Sequence, residues 1–197
     1  MILLRSHKPR PAPKAGDIVG FSGDSWLSVG INLVTYGIPF WSLSHVGILG
    51  EHEGELLLFE STSLSELPCV IQGQPVWGTQ AHRLNECVEA YGGKVWHYPL
   101  YRPLYPFESK RLSAFLLDYI GKDYDAIGAF RAGGIGWSWI ESKLRRQDLS
   151  SLFCSEYCAA AHARVGIFRT DHAGRWSPNR LVRTERRGIL LKPWRLK

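Results

Sequence analysis

Two apolar runs separated by a short polar stretch constrain this chain more than any other feature: Ser44-His45-Val46-Gly47-Ile48-Leu49, then Glu51-His52-Glu53-Gly54, then Glu55-Leu56-Leu57-Leu58-Phe59-Glu60. Runs of this length around polar and glycine residues predict an antiparallel hairpin. If residues 51–54 form a symmetric four-residue turn, Leu49 pairs with Leu56, Gly47 with Leu58 and His45 with Glu60. Directly opposed side chains share a face, with Cβ atoms about 4.5–5.5 Å apart. A slip of one residue would put the imidazole and the carboxylate on opposite faces.

Further elements surround this hairpin. Pro9, Pro11 and Pro13 make residues 1–15 an extended lead-in, and order is expected from Gly16. Asp17 to Phe21 reads as a strand after a glycine turn, and Ser25 to Tyr36 has the apolar spacing of a short helix. Weaker strand patterns lie at Val76 to Leu84 and Lys94 to Leu100. Phe107 to Ile120 carries Leu112, Phe115, Leu116, Tyr119 and Ile120 at amphipathic-helix spacing, with Gly121 as the stop. The stretch from Gly121 to Asp148 reads as a loop with a short helix near Trp139 to Arg145. Ser150 or Ser151 is placed to cap a helix ending at Gly166. The sum is an α+β fold: an antiparallel sheet packed against the helix that carries Cys154 and against a second, amphipathic helix. At 197 residues and 45% hydrophobic content the chain can bury a core as one domain, residues 16–197.

The formal charge of +6 comes largely from Arg and Lys residues near the two ends. Basic ends suit an anionic surface, whether nucleic acid, phospholipid or cell-wall polymer, but a solvated basic rim with no dedicated partner is the preferred reading. Specific nucleic-acid recognition is not expected, because the chain carries no recognition motif for it. No run approaches the roughly 18–20 apolar residues of a membrane span, and Met1 to Leu4 is too short for a signal-peptide core. The expected compartment is therefore the cytoplasm, with Cys69, Cys87, Cys154 and Cys158 as reduced thiols.

The segment Phe153-Cys154-Ser155-Glu156-Tyr157-Cys158-Ala159-Ala160-Ala161 places a cysteine near the expected start of a helix. Amides at a helix start favour a thiolate, and a neighbouring imidazole favours it further. The plain alternative is a buried Cys in a core. Cys158, one turn on, reads as core. Cys154, Cys158 and His162 form a stripe, but Cys154 and His162 lie roughly 12 Å apart along a helix axis, too far for one zinc to take all three. No metal or cofactor is expected. His52 belongs to the turn. His82 and His97 fall in the weaker strands, without a carboxylate at a foreseeable register. Trp137 and Trp139 either pack or line an acyl or glycan site.

Six ordered segments together resemble the circularly permuted papain-like amidases, the YiiX-type relatives of the NlpC-like cysteine peptidases. They are Gly16-Asp17-Ile18-Val19, Ser44-His45-Val46-Gly47-Ile48, Leu58-Phe59-Glu60-Ser61, Gly121-Lys122-Asp123-Tyr124-Asp125, Phe153-Cys154-Ser155-Glu156 and Ser177-Pro178-Asn179-Arg180-Leu181. The resemblance runs from about Gly16 to Leu181. It implies a permuted papain-like fold with Cys154 as nucleophile, His45 as base and Glu60 as orienting acid. The expected activity is hydrolysis of a peptide or acyl-amide bond through a thioacyl-enzyme intermediate, a thiol-protease or amidase chemistry. An acyltransferase or thioesterase using the same thiol on a lipid-like substrate, as in the lecithin:retinol acyltransferase group, is the nearest alternative. A catalytically silent module binding anionic polymers or membranes is the third. The Cys154 amide is the expected first oxyanion donor, and Ser22 is the candidate for the second.

Overall fold

The computed structural model describes residues 10–23, 43–62, 67–121, 146–167 and 176–197, with side chains left aside over 146–153. The expected helix over residues 25–36, the short helix near Trp139, and Trp137 and Trp139 themselves lie outside the described residues. The described elements are β1 (Ile18–Ser22), β2 (His45–His52), β3 (Glu55–Thr62), β4 (Gly78–Arg83), α1 (Leu84–Ala90), β5 (Lys94–Tyr98), α2 (Pro106–Asp118), α3 (Arg146–Arg164), α4 (Pro178–Val182), a 3-10 turn (Arg183–Arg187) and β6 (Trp194–Arg195). The strands form one antiparallel sheet in the order β4-β3-β2-β1-β5-β6. The α+β class therefore holds.

The β2–β3 hairpin turns more tightly than a four-residue loop. Glu53 and Gly54 both have positive φ, 51° and 81°. These are the values of a two-residue type I′ turn, whose twist matches that of the strands it joins. The resulting pairs are His52 with Glu55, Glu51 with Leu56, Gly50 with Leu57 and Leu49 with Leu58. The register thus differs by two residues from the expected one, and His52 belongs to the strand rather than the turn. A shift of two preserves the alternation of faces, so His45 and Glu60 still point to the same side.

Each face of the sheet is covered. Ile18, Val46, Ile48, Leu57 and Phe59 pack with Leu112 and Leu116 of α2 and with Cys154, Tyr157 and Cys158 of α3. Val19, Phe21, Leu49, Leu58 and Val95 pack with Cys87 and, at the margin, Leu84, Val88 and Leu196. The second cover depends on α1, an element absent from the expectations above. Leu84, Cys87 and Val88 are the i, i+3, i+4 signal that marks it. The interior strand β2 can lie beneath α2 because of Gly50. A Cβ on Gly50 would come within 2.5 Å of Leu116 Cδ1 and 3.0 Å of the Phe59 ring.

The caps show how the sequence sets the helix limits. Pro106 occupies the first turn of α2, where its missing N–H costs nothing. Glu108 accepts from the Tyr105 amide at 2.8 Å and receives both arms of Arg102 at 2.7 Å. At the other end of the chain, Lys197 Nζ donates to the carbonyls of Glu89 and Tyr91 at 2.9 and 2.7 Å. Part of the basic C-terminus is thus spent on closing the fold over α1.

The helix carrying the cysteine begins earlier than expected. α3 spans 19 residues from Arg146, so Ser150 and Ser151 lie within it and neither caps it. Cys154 is its ninth residue. The field of a helix terminus fades within the first turn, so it does not activate this thiol. An amide so deep in a helix donates to the carbonyl four residues back, which removes the basis for the Cys154 N–H as an oxyanion donor. At the far end Gly166 takes φ 73°, and its amide and that of Ile167 donate to the carbonyls of Ala163 and His162. That closure fits the glycine stop expected there.

Candidate functional site

His45 is the first residue of β2 and so stands at one end of the sheet. The backbone leading into it is held twice. The Ser44 amide donates to the Phe21 carbonyl at 2.9 Å. The buried side chain of Asn179, on α4, accepts from the Leu43 amide at 2.9 Å and donates to the Leu43 carbonyl at 3.3 Å. One amide group therefore satisfies both backbone groups of the residue that enters the strand. Asn179→Ala is expected to cost about 2 kcal/mol, the penalty for leaving buried backbone groups unpaired, read as a lower urea midpoint with an unchanged slope.

The imidazole of His45 reaches Glu60, with Nε2 2.7 Å from Oε2. Continuing the observed register puts Glu60 across from Gly47, so the two side chains meet diagonally. Such positions lie about 7–8 Å apart at the backbone, within reach of long side chains. The ring is also hydrogen-bonded to the thiol of Cys154. Since Nε2 is taken by the carboxylate, Nδ1 is the nitrogen left for sulfur. The Phe21 ring lies beside the imidazole at 5.5 Å between centroids. Thus the three residues expected to form the site meet, although the carboxylate comes from the α1 side of the sheet and the thiol from the α3 side.

Burial by itself would lower the pKa of His45, but the Cys154 sulfur, by charge and hydrogen bond, and then the Glu60 carboxylate outweigh it and hold it up at about 10. Burial would raise Glu60, yet hydrogen bonds from His45 and then His82 pull it down to about 2. The result is an ionised carboxylate behind a cationic ring. The Cys154 side is buried, and the His45 side chain is 20% exposed.

The pattern reading missed the second ring on Glu60. His82, fully buried on β4, has Nδ1 2.9 Å from Glu60 Oε1 and Nε2 3.3 Å from the Leu67 carbonyl. β3 pairs with β4 so that Glu60 faces Gln80 and Leu58 faces His82. His82 is therefore another diagonal partner of the same carboxylate. The sequence held one usable sign: a histidine in alternation within Gly78–Arg83. Its register, however, depends on the intervening connection and not on a tight turn.

The remaining candidates divide plainly. Ser22 ends β1 and pairs with Lys94. Cys158 is buried, and burial followed by the charges of Cys154 and Glu60 raises its thiol well above the ordinary range. His162 donates from Nε2 to the Gly16 carbonyl at 2.7 Å, and burial lowers it to about 4. It ties α3 to the start of β1. His97 also has a carboxylate, at a register the pattern did not foretell: its Nε2 lies 2.7 Å from Asp17 Oδ2, while Asp17 Oδ1 accepts from the Leu100 amide. That pair is structural.

A metal could be held by Glu60, His82 and Cys87, whose donor atoms all lie within 4.8 Å of one another. Burial, then the charges of Glu60 and Glu86, raise the Cys87 thiol far above its usual range. All four cysteines are free thiols. Among the described residues, no helix is long and apolar enough to cross a membrane.

No protein-family model and no curated protein matches the chain. Among solved structures, the crystal structure of metalloprotein YiiX from Escherichia coli O157:H7 (DUF1105) is similar, with a TM-score of 0.51 at 16% identity. The likeness covers 94% of this chain and 97% of that one. It shows a shared fold, and it meets the YiiX part of the sequence resemblance at that level.

Proposed function

We propose that the chain is a cysteine hydrolase of permuted papain-like architecture, one catalytic domain over residues 16–197, cleaving a peptide or acyl-amide bond. The observation that carries this reading is the imidazole of His45, placed between the Cys154 thiol and the Glu60 carboxylate. In the resting pair the ring already holds the thiol's proton as an imidazolium, and the thiolate so formed adds to the carbonyl carbon. The imidazolium then gives its proton to the departing amine as the C–N bond breaks, leaving a thioester on Cys154. Water, deprotonated by the same ring, adds to the thioester and releases the acid and the thiol. Glu60 keeps the ring oriented and stabilises its positive charge through both proton transfers. Because Cys154 lies in a helix interior, the charge on its sulfur is favoured by the ring and not by the helix terminus.

The similar structure is described as a metalloprotein. In this chain the donor set that suits a cation is Glu60, His82 and Cys87, on the opposite edge of the carboxylate from His45. A cation bound there would supply charge to that carboxylate, and the acyl chemistry proceeds on Cys154 and His45.

The test is the rate of iodoacetamide labelling at each cysteine, mapped by peptide mass. Cys154 is expected to react faster than Cys69, Cys87 and Cys158 at pH 7. His45→Ala is expected to slow it about 100-fold, the lower range for loss of a positioned base. With the ring held up at about 10, its positive charge is present below that pH and lost above it. The difference between wild type and His45→Ala should therefore persist from pH 6 to about 9 and close beyond about 10. Equal rates in the two proteins at pH 7, or a Cys154 no faster than the other three, would overturn the reading.

A further inference from the structure

We infer that Glu60, His82 and Cys87 form a binding site for a single divalent, zinc-type cation, sharing the carboxylate that orients His45. Glu60 contributes from β3, His82 from the end of β4 and Cys87 from α1, so three successive elements converge on one point. Carboxylate oxygen, imidazole nitrogen and thiolate sulfur are the donor types that zinc takes at bond lengths of about 2.0–2.3 Å. Donor atoms at such lengths stand about 3.3–3.8 Å apart around a tetrahedral ion. The three atoms already lie within 4.8 Å of one another, and the His82–Glu60 pair, at 2.9 Å, has to open slightly to admit the ion.

His82 gives an independent indication. Its Nε2 lies 3.3 Å from the Leu67 carbonyl, which can accept a hydrogen bond but cannot donate one. That contact places a proton on Nε2 and turns Nδ1 toward Glu60, the second-shell arrangement that fixes a metal-ligating histidine. The atom facing Nδ1 is Oε1, again an acceptor.

Charge balance supports the same assignment. All three side chains are buried, where an uncompensated charge is costly. A divalent cation joining one carboxylate and one thiolate leaves the cluster neutral. Binding releases the Cys87 thiol proton and any proton on Nδ1, while Nε2 keeps its own toward Leu67. Glu60 offers Oε1 to the cation and retains Oε2 for His45, so the shared carboxylate serves both sites.

The proposal rests on the hydrolase reading only in calling Glu60 shared, and the experiment separates the two. Cobalt(II) is titrated into the full chain carrying Cys154→Ala, and into the same chain carrying Cys87→Ser as well. The first protein is expected to bind one equivalent with a thiolate-to-cobalt absorption band that excess zinc abolishes. The second is expected to lose the band, while circular dichroism reports whether it is folded. A parallel measurement uses only the Cys154→Ala protein: zinc should slow alkylation of Cys87 at least tenfold relative to chelator, leaving Cys69 and Cys158 unchanged. A band that survives Cys87→Ser would overturn the site, as would its absence from Cys154→Ala or a Cys87 rate indifferent to zinc. Neither result depends on catalysis, so the metal site can fail while Cys154 proves nucleophilic, and the reverse.

Discussion

Cys154→Ser is expected to abolish the burst of p-nitrophenolate released when the protein is mixed with p-nitrophenyl acetate, and to lower steady-state turnover about 10⁴-fold or more. A serine in this place keeps the size and hydrogen-bonding capacity of the thiol. It has no ready ionisation, however, and the ring of His45 would have to remove a far less acidic proton. A thiol and a hydroxyl differ so much in acidity that geometry alone does not rescue the variant. The burst amplitude reports the thioester directly, and equal amplitudes in the two proteins would remove Cys154 from the chemistry. Cys158→Ser, one turn deeper and buried, should leave the burst intact. That contrast separates the nucleophile from a neighbouring thiol in the core.

Glu60→Gln is expected to be the most destabilising of the isosteric changes at the site. The carboxylate accepts from two imidazoles, at 2.7 and 2.9 Å. A glutamine keeps the shape and removes the charge that balances them. Breaking a buried ionic arrangement from one side costs about 3 kcal/mol or more, which for a chain of this size is a loss of about 10 °C in Tm. The effect has a definite pH signature. Glu60 is held down at about 2 from an ordinary 4.5, so its contribution is complete above the unfolded value and is lost as the pH falls toward 2. The gap in stability between wild type and Glu60→Gln should be widest at neutral pH and shrink between about pH 4.5 and 2. A gap independent of pH over that interval would mean that the carboxylate is not ionised in the folded protein.

Much of this site could be read from the sequence because strand alternation is insensitive to even errors. The turn proved two residues shorter than expected, yet His45 and Glu60 stayed on one face since the slip was two. Had the turn been three residues long, the imidazole would have pointed away from the carboxylate. His82 was not legible in the same way. Its place depends on how β4 aligns against β3 across a connection that begins after Thr62 and ends before Gly78, and nothing local to Gly-Thr-Gln-Ala-His-Arg sets that alignment.

The environment of Cys154 misled for a different reason. Ser150 and Ser151 are good capping residues in general, but a helix can continue upstream through Arg146-Gln147-Asp148-Leu149 when the tertiary structure favours it. The expected position at a helix start therefore gave way to one in a helix interior, beside a ring from another element. α1 escaped notice because its seven residues carry a single buried side chain, Cys87. The position of that cysteine became informative once the sheet brought Glu60 and His82 beside it.

The clamp of Asn179 on Leu43 joins residues 136 positions apart. During synthesis, which proceeds at roughly 5–20 residues per second, the strand bearing His45 emerges long before α4 exists to brace its entry. The thiol arrives late as well. A growing polypeptide accordingly carries this imidazole and carboxylate before either Cys154 or the Asn179 brace has been made.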